Sequence, residues 1–258
     1  MYKDERRSVG TIKTAPLELS NAQNPTTGPY ALNSDTIEIW HGNIVDEEAY
    51  YQDCWRVLDA AEQARATAFK FDLLRQRYVV VHGRLRNILA QTLNEPPEKI
   101  KIITAEYGKP SLQHTPELAF NLSHSAEAVV IALGWRRQLG VDIEKCTDKR
   151  SLDGLVDRCF AGEEIAYWRN LPEAQKTVEF YRFWTRKEAF VKATGRGIAL
   201  GLDQCVVNPE KPDQFLRVPE DCGSAASWRL LDITLGAGVC SALVTDKSWG
   251  NLKFTALF

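Results

Sequence analysis

Glu188 and Lys192, within FYRFWTRKEAFVKATGRG (180–197), stand four residues apart, so a helix sets both on one face with Trp184 one turn earlier. A carboxylate beside an ammonium is a base beside a cation. It is equally the spacing of an ordinary helix-stabilising ion pair worth roughly 0.2–0.5 kcal/mol. In GVDIEK (140–145), strand alternation puts Asp142 and Glu144 on one face and Val141 and Ile143 on the other. Two carboxylates on one face need solvent or a cation between them. The pair is therefore either a solvated strand edge or a site for a hard ion such as Mg²⁺, which prefers oxygen ligands.

Two further stretches suit phosphate. In YGKP (107–110), Gly108 permits close backbone approach and Lys109 offers a mobile point charge, although a plain turn has the same composition. In FNLSHS (120–125), Phe120 and Leu122 face one way and Asn121 and Ser123 the other. Ser123 and His124 at a strand end can donate to phosphate oxygens. A Ser-His-Asp hydrolase is the tempting misreading. Neighbouring strand residues point apart, and no GxSxG nucleophile elbow is present.

These side chains need elements to hold them. TIEIWHG alternates as a strand, and two helical stretches follow, DEEAYYQDCWRVLDAAEQARATAF and DLLRQRYVVVHGRLRNILAQTLN, the second with Asp72 as its expected cap. From residue 100 the period shortens to that of strands, through KIKIITAEYGKPSL, LAFNLSHS and AVVIALGWRRQLGVDIEK. A second helical part runs from about Ser151 to Thr194 with a break near Asn170–Pro172, and the C-terminal part returns to strands. The order of elements predicts an α+β fold of two similar halves, 36–139 and 140–258, preceded by a flexible N-terminal arm over 1–35 that is rich in Thr, Ser, Asn, Pro and Gly.

Composition narrows the function classes. A 258-residue chain with 44% hydrophobic and 26% charged residues has the makings of a proper core. A formal net charge of −2 argues against general electrostatic binding of nucleic acid, while leaving room for a local basic pocket. MYKDERRSVG lacks the apolar core of a secretory signal, and no apolar run approaches a membrane span. The six cysteines are scattered, with no CxxC, so packed reduced thiols in a cytoplasmic protein are expected and a zinc site is not.

The ordered blocks GKP, FNLSHS, GVDIEK and FWTRKEAFVKATGRGI closely resemble the phosphopantetheinyl transferases of the Sfp type. That family's pattern is G-K-P, F-N-x-S-H, G-[VI]-D-[VI]-E and W-x-x-K-E-[AS]-x-x-K with a following Gly-rich turn. Every position is matched between about residues 108 and 200, and DAAEQARATAFKFDLLRQRYVVVHGRLR resembles the family's basic N-terminal helical region more loosely.

The resemblance implies transfer of the 4′-phosphopantetheine arm of coenzyme A to a serine of an apo acyl or peptidyl carrier protein. The reaction would be Mg²⁺-dependent and release adenosine 3′,5′-bisphosphate. It implies a pseudo-twofold pair of α+β halves with the active site in the cleft between them. By the same similarity Asp142, Glu144 and Glu188 hold the metal. Coenzyme A is contacted by Arg65, Arg77, Lys109, Ser123 and His124, together with Asp142, Glu188 and Lys192. The catalytic set is Glu188 as base toward the carrier serine, Lys192 at the leaving phosphate, and Asp142. Trp184 supports the helix. EQARATAF has fewer cations than some relatives, which leaves more of that contact to Arg65. No nucleic acid or membrane partner is implied, and a monomer suffices. A non-catalytic coenzyme A or carrier-protein binding module and a metal-dependent phosphohydrolase are the alternatives. Retention of Asp142, Glu144, Glu188 and Lys192 speaks against the first.

Overall fold

A computed structural model describes residues 33–44, 48–148, 151–197 and 200–258. The arm expected over 1–35 lies outside the described residues except for 33–35. The fold is α+β, as the order of periodicities predicts.

Strand β1 (Thr36–Asn43) leads to helices α1 (Glu48–Val57), α2 (Ala60–Thr67) and α3 (Asp72–Leu93). The first predicted helical stretch is thus two helices, divided because Asp59 caps α2. Its carboxylate accepts from Glu62 N–H at 2.9 Å while the Glu62 carboxylate accepts from Asp59 N–H at 3.0 Å. Asp72 does not cap α3. The cap position is Phe71, and Asp72, the first helical residue, pairs instead with Arg75 at 2.8 Å. Strands β2 (Ile102–Thr104) and β3 (Pro110–Leu112) form a hairpin, followed by β4 (Leu118–Ser125), β5 (Ala128–Trp135) and β6 (Leu139–Lys145). Then come α4 (Asp153–Cys159), α5 (Gly162–Arg169) and α6 (Glu173–Thr194), with the predicted break at Pro172. The hairpin of β7 (Val206–Val207) and β8 (Phe215–Arg217), then β9 (Arg229–Asp232), β10 (Val239–Thr245) and β11 (Asn251–Ala256), complete the chain.

Two sheets result, ordered β11-β1-β5-β4 and β6-β10-β9. All pairings in them are antiparallel except β1 with β11, so the end of the chain returns to the first sheet. The apolar run of β5 is buried on both faces. Val129, Ile131 and Leu133 pack with Val81, Leu85 and Leu89 of α3, whereas Val130 and Ala132 join Ile37, Ile39, Val141, Ile143 and Leu243 between the sheets. On the far side, Ala242 and Val244 of β10 pack with Phe183, Ala189 and Phe190 of α6. The order of layers is therefore helix, sheet, sheet, helix. Because Val141 and Ile143 point between the sheets, Asp142 and Glu144 point toward α6. No helix among the described residues is long and apolar enough to cross a membrane.

Candidate active site

Gly140 lets α6 come close enough to meet those carboxylates. A Cβ there would lie 2.0 Å from the Ala189 carbonyl oxygen and 2.4 Å from the Ala193 nitrogen. Only glycine allows such contact between a strand and a helix backbone. Beyond Thr194, Gly195 ends α6 in the left-handed conformation, φ 73°. Trp184 packs with the aromatic core beneath, its ring 5.7 Å from that of Phe180, consistent with the supporting role expected of it.

Lys192 donates to Asp142 Oδ1 at 2.6 Å and to Ser123 Oγ at 2.8 Å, and Ser123 in turn donates to the same carboxylate oxygen at 2.8 Å. Asp142 is 3% exposed, and its Oδ2 is buried without a hydrogen-bond partner. Burial pushes this carboxyl upward, against the pull of Lys192 and Ser123. Ser125 donates to Glu144 at 2.7 Å, and Asn121 Oδ1 accepts from Val141 N–H at 2.9 Å. Alternate residues of β4 thus read across onto β6 through side chains. Asn121 and Ser125 were not among the sequence candidates, although the alternation that put Asn121 beside Ser123 signals both.

Glu188 is raised above the ordinary carboxylate range, first by burial and then by the charges of Asp142 and Glu144, with Lys192 opposing. Glu188 thus feels the charges of both other expected metal ligands. The three are not drawn up as a finished cluster, since Lys192 faces Asp142 and Ser125 holds Glu144. Among the described residues, no three His, Cys, Asp or Glu side chains are placed to enclose a cation. The orphaned Asp142 oxygen, with Glu188 within electrostatic reach of Asp142 and Glu144, is nonetheless the oxygen chemistry that suits a hard dication.

A cavity of about 700 Å³ opens beside these groups, with Glu188 and Lys192 on one wall and Arg65, Tyr78, His82 and Lys109 among the residues around it. Arg86, 1% exposed, anchors the opposite wall by binding Asp59 and Glu62, both at 2.5 Å, which ties the start of α2 to α3. The Arg65 guanidinium lies 5.5 Å over the Tyr78 ring, which stacks on His82 with centroids 4.0 Å apart. His124 is lowered by desolvation and then by His82, Lys192 and Arg77, so four basic groups share this corner.

Two expected phosphate contacts are engaged elsewhere in this geometry. Lys109 Nζ donates to the carbonyls of Leu139 at 3.1 Å and Ala193 at 2.6 Å, and burial lowers the ammonium to about 8. It ties the turn before β3 to β6 and the end of α6. Arg77 pairs with Glu127 at 3.3 Å.

Lys187, beside Glu188 in the chain, is fully buried and pairs at 2.6 Å with an equally buried Glu164. Lys187 also donates to the carbonyls of Leu202 and Cys205, both at 2.8 Å, while Glu164 accepts from the N–H groups of Ala161 and Val207, both at 2.8 Å. This satisfied network fixes α6 against α5 and the segment before β7. Nothing in the local sequence marks Glu164 as its partner.

Residues 138–244 match the 4′-phosphopantetheinyl transferase superfamily, and residues 46–135 match the 4′-phosphopantetheinyl transferase N-terminal family. The 4′-phosphopantetheinyl transferase HetI of Nostoc sp. is 35% identical over 223 residues, covering 85% of this chain and 91% of that protein. The 4′-phosphopantetheinyl transferase Sfp of Bacillus subtilis is 32% identical over 160 residues, covering 61% and 70% respectively. The transferase psf-1 of Bacillus pumilus is 31% identical over 161 residues, covering 62% and 67%. With this similarity spread over both sheets, and the site residues lying within it, the chain belongs to the 4′-phosphopantetheinyl transferase family.

Proposed function

We propose that this enzyme moves the 4′-phosphopantetheine arm of coenzyme A onto a serine of an apo acyl or peptidyl carrier protein, with Mg²⁺ as cofactor and adenosine 3′,5′-bisphosphate as product. The observation that carries the reading is the meeting of Lys192, Asp142 and Ser123 beside Glu188 at a cavity with basic groups around it.

In this reading the serine oxygen forms a bond to the pantetheine-bearing phosphorus, and the bond from that phosphorus to the bridging oxygen breaks. Glu188 takes the serine proton. A carboxyl raised by burial and like charge is a better base near neutrality than an ordinary one. Lys192 offers its cation to the departing phosphate, held in place by Asp142 and Ser123. Arg65 and His124 receive the remaining phosphate charge, with Arg77 adding to the potential at His124. Lys109 contributes as a half-buried cation that braces the cleft; direct phosphate contact requires it to leave two carbonyls.

Asp142, through its unpartnered Oδ2, Glu144 and Glu188 would hold Mg²⁺, whose charge would offset that developing on the pyrophosphate when bound. Helices α3 and α6, of 22 residues each and each on the outer face of a sheet, support reading the molecule as two similar halves meeting near residue 140. Both walls of the cavity come from one chain, so a monomer suffices.

The test is release of adenosine 3′,5′-bisphosphate from coenzyme A. The reading requires that it depend on the carrier, stop on chelation and resume with Mg²⁺. Release independent of the carrier would point to a phosphohydrolase.

A further inference from the structure

The fold joins two cysteines far apart in sequence: the sulfurs of Cys146 and Cys240 lie 3.2 Å apart. Cys146 follows β6, and its N–H donates to the Gly238 carbonyl at 2.9 Å, which continues the ladder in which Lys145 faces Val239 and Glu144 faces Cys240. The two thiols are therefore diagonal neighbours on one face of adjacent antiparallel strands, within reach of each other's side chains. Their sulfurs need to close by only about 1.2 Å to reach the length of a disulfide bond. The chain leading into β10 can supply that movement, because Gly236 and Gly238 hold positive φ values of 148° and 75°. Cys240 is 8% exposed whereas Cys146 is only half-buried, so a reagent from solvent meets Cys146 first. The more accessible Cys146 is therefore the attacking sulfur and the enclosed Cys240 the resolving one.

We propose that Cys146 and Cys240 are a modification site: a hydroperoxide oxidises them to a reversible disulfide that locks β6 to β10. The Cys146 sulfur gives up its proton and attacks the terminal peroxide oxygen, the O–O bond breaks, and the departing oxygen takes that proton and leaves as alcohol or water. Cys146 is then a sulfenic acid. The Cys240 sulfur attacks the Cys146 sulfur, forming the S–S bond. The hydroxyl leaves with the Cys240 proton as water. The two thiols lose two electrons and two protons in total, and one hydroperoxide is reduced. A dithiol reverses the bond by exchange. The cross-link falls on the strand that carries Asp142 and Glu144 to the site, with Cys240 directly opposite Glu144 in the ladder. It also closes a long loop in the unfolded chain, which favours the folded state.

The experiment treats the reduced, folded enzyme with hydrogen peroxide, then measures intact mass, non-reducing peptide maps and thermal unfolding. The expected result is a mass loss of about 2 Da, two hydrogens, a peptide joining Cys146 to Cys240, and a higher Tm. All three should revert with dithiothreitol. Cys146→Ser, at the half-buried position, and Cys240→Ser should each lack the joined peptide and the Tm rise. A folded wild-type protein that accumulates sulfinic acid at Cys146 without the joined peptide would overturn the proposal. So would a joined peptide obtained only after denaturation.

Discussion

Lys192 on α6 and Asp142 on β6 meet at 2.6 Å, and Ser123 on β4 bonds to both. A charge presented by the helix is thereby fixed to the junction of two sheets. The pair is far from an exposed surface bridge, because Asp142 is almost wholly enclosed.

Lys192→Met should lower turnover by about 10²–10³, the usual scale for removing one electrostatic contact to a transition state. It should also cost about 1–3 kcal/mol of stability, because Asp142 is left buried without its cation. Adding Asp142→Asn should restore part of that stability and none of the turnover. Denaturant unfolding alongside steady-state rates separates the two effects.

Glu188→Gln should divide stability from activity in the other direction. A carboxyl raised on folding contributes stability that is fully present below the unfolded value of 4.5 and is lost as pH rises through the folded value. At neutral pH the glutamine variant should therefore be more stable than wild type, by about 0.5–2 kcal/mol. That gain should vanish below pH 4.5. Turnover should fall by about 10²–10⁴, as for the loss of a general base. Unfolding curves at the two pH values check the sign.

Gly140→Ala should cost about 1–3 kcal/mol or more, because the new methyl must displace backbone atoms of α6 at Ala189 and Ala193. Moving α6 moves Glu188 and Lys192, so turnover should fall with stability. Gly154→Ala, where a Cβ meets nothing within 4 Å, is the control and should keep both.

If His124 contacts phosphate as proposed, its titration should report on binding. Its lowered value means that the free enzyme loses stability as pH falls from 6.5 toward the folded value, since the unfolded chain takes up the proton first. Binding of adenosine 3′,5′-bisphosphate should raise the His124 value, because a phosphate dianion nearby favours the imidazolium. Proton NMR of the imidazole, free and bound, measures this directly. An unchanged titration would remove His124 from the phosphate site.

Much of this was legible in the residues themselves. The period-two pattern in FNLSHS and GVDIEK placed Ser123, Asp142 and Glu144 on their proper faces, and the i,i+4 spacing put Glu188 and Lys192 together. What alternation does not show is what covers a face. Asp142 looked like a candidate for a solvated edge, and it is roofed by α6 because Gly140 lets the helix descend. Phosphate-suited Lys109 binds two carbonyls, a partnership between segments 30 and 84 residues apart that no local pattern encodes. The same limit hid the buried Lys187–Glu164 pair and the contact of Cys146 with Cys240. Asp72 had the chemistry of a cap, but α3 starts one residue too early for it to serve.

The most direct measurement is the intact mass of an apo carrier protein after incubation with this enzyme, coenzyme A and Mg²⁺. The carrier should gain one phosphopantetheine arm, attached at a serine, with wild-type enzyme and should gain none at the same enzyme concentration and time with Glu188→Gln. A carrier left unmodified by wild-type enzyme across a panel of acyl and peptidyl carriers, or modified at an equal rate by Glu188→Gln, would contradict the account.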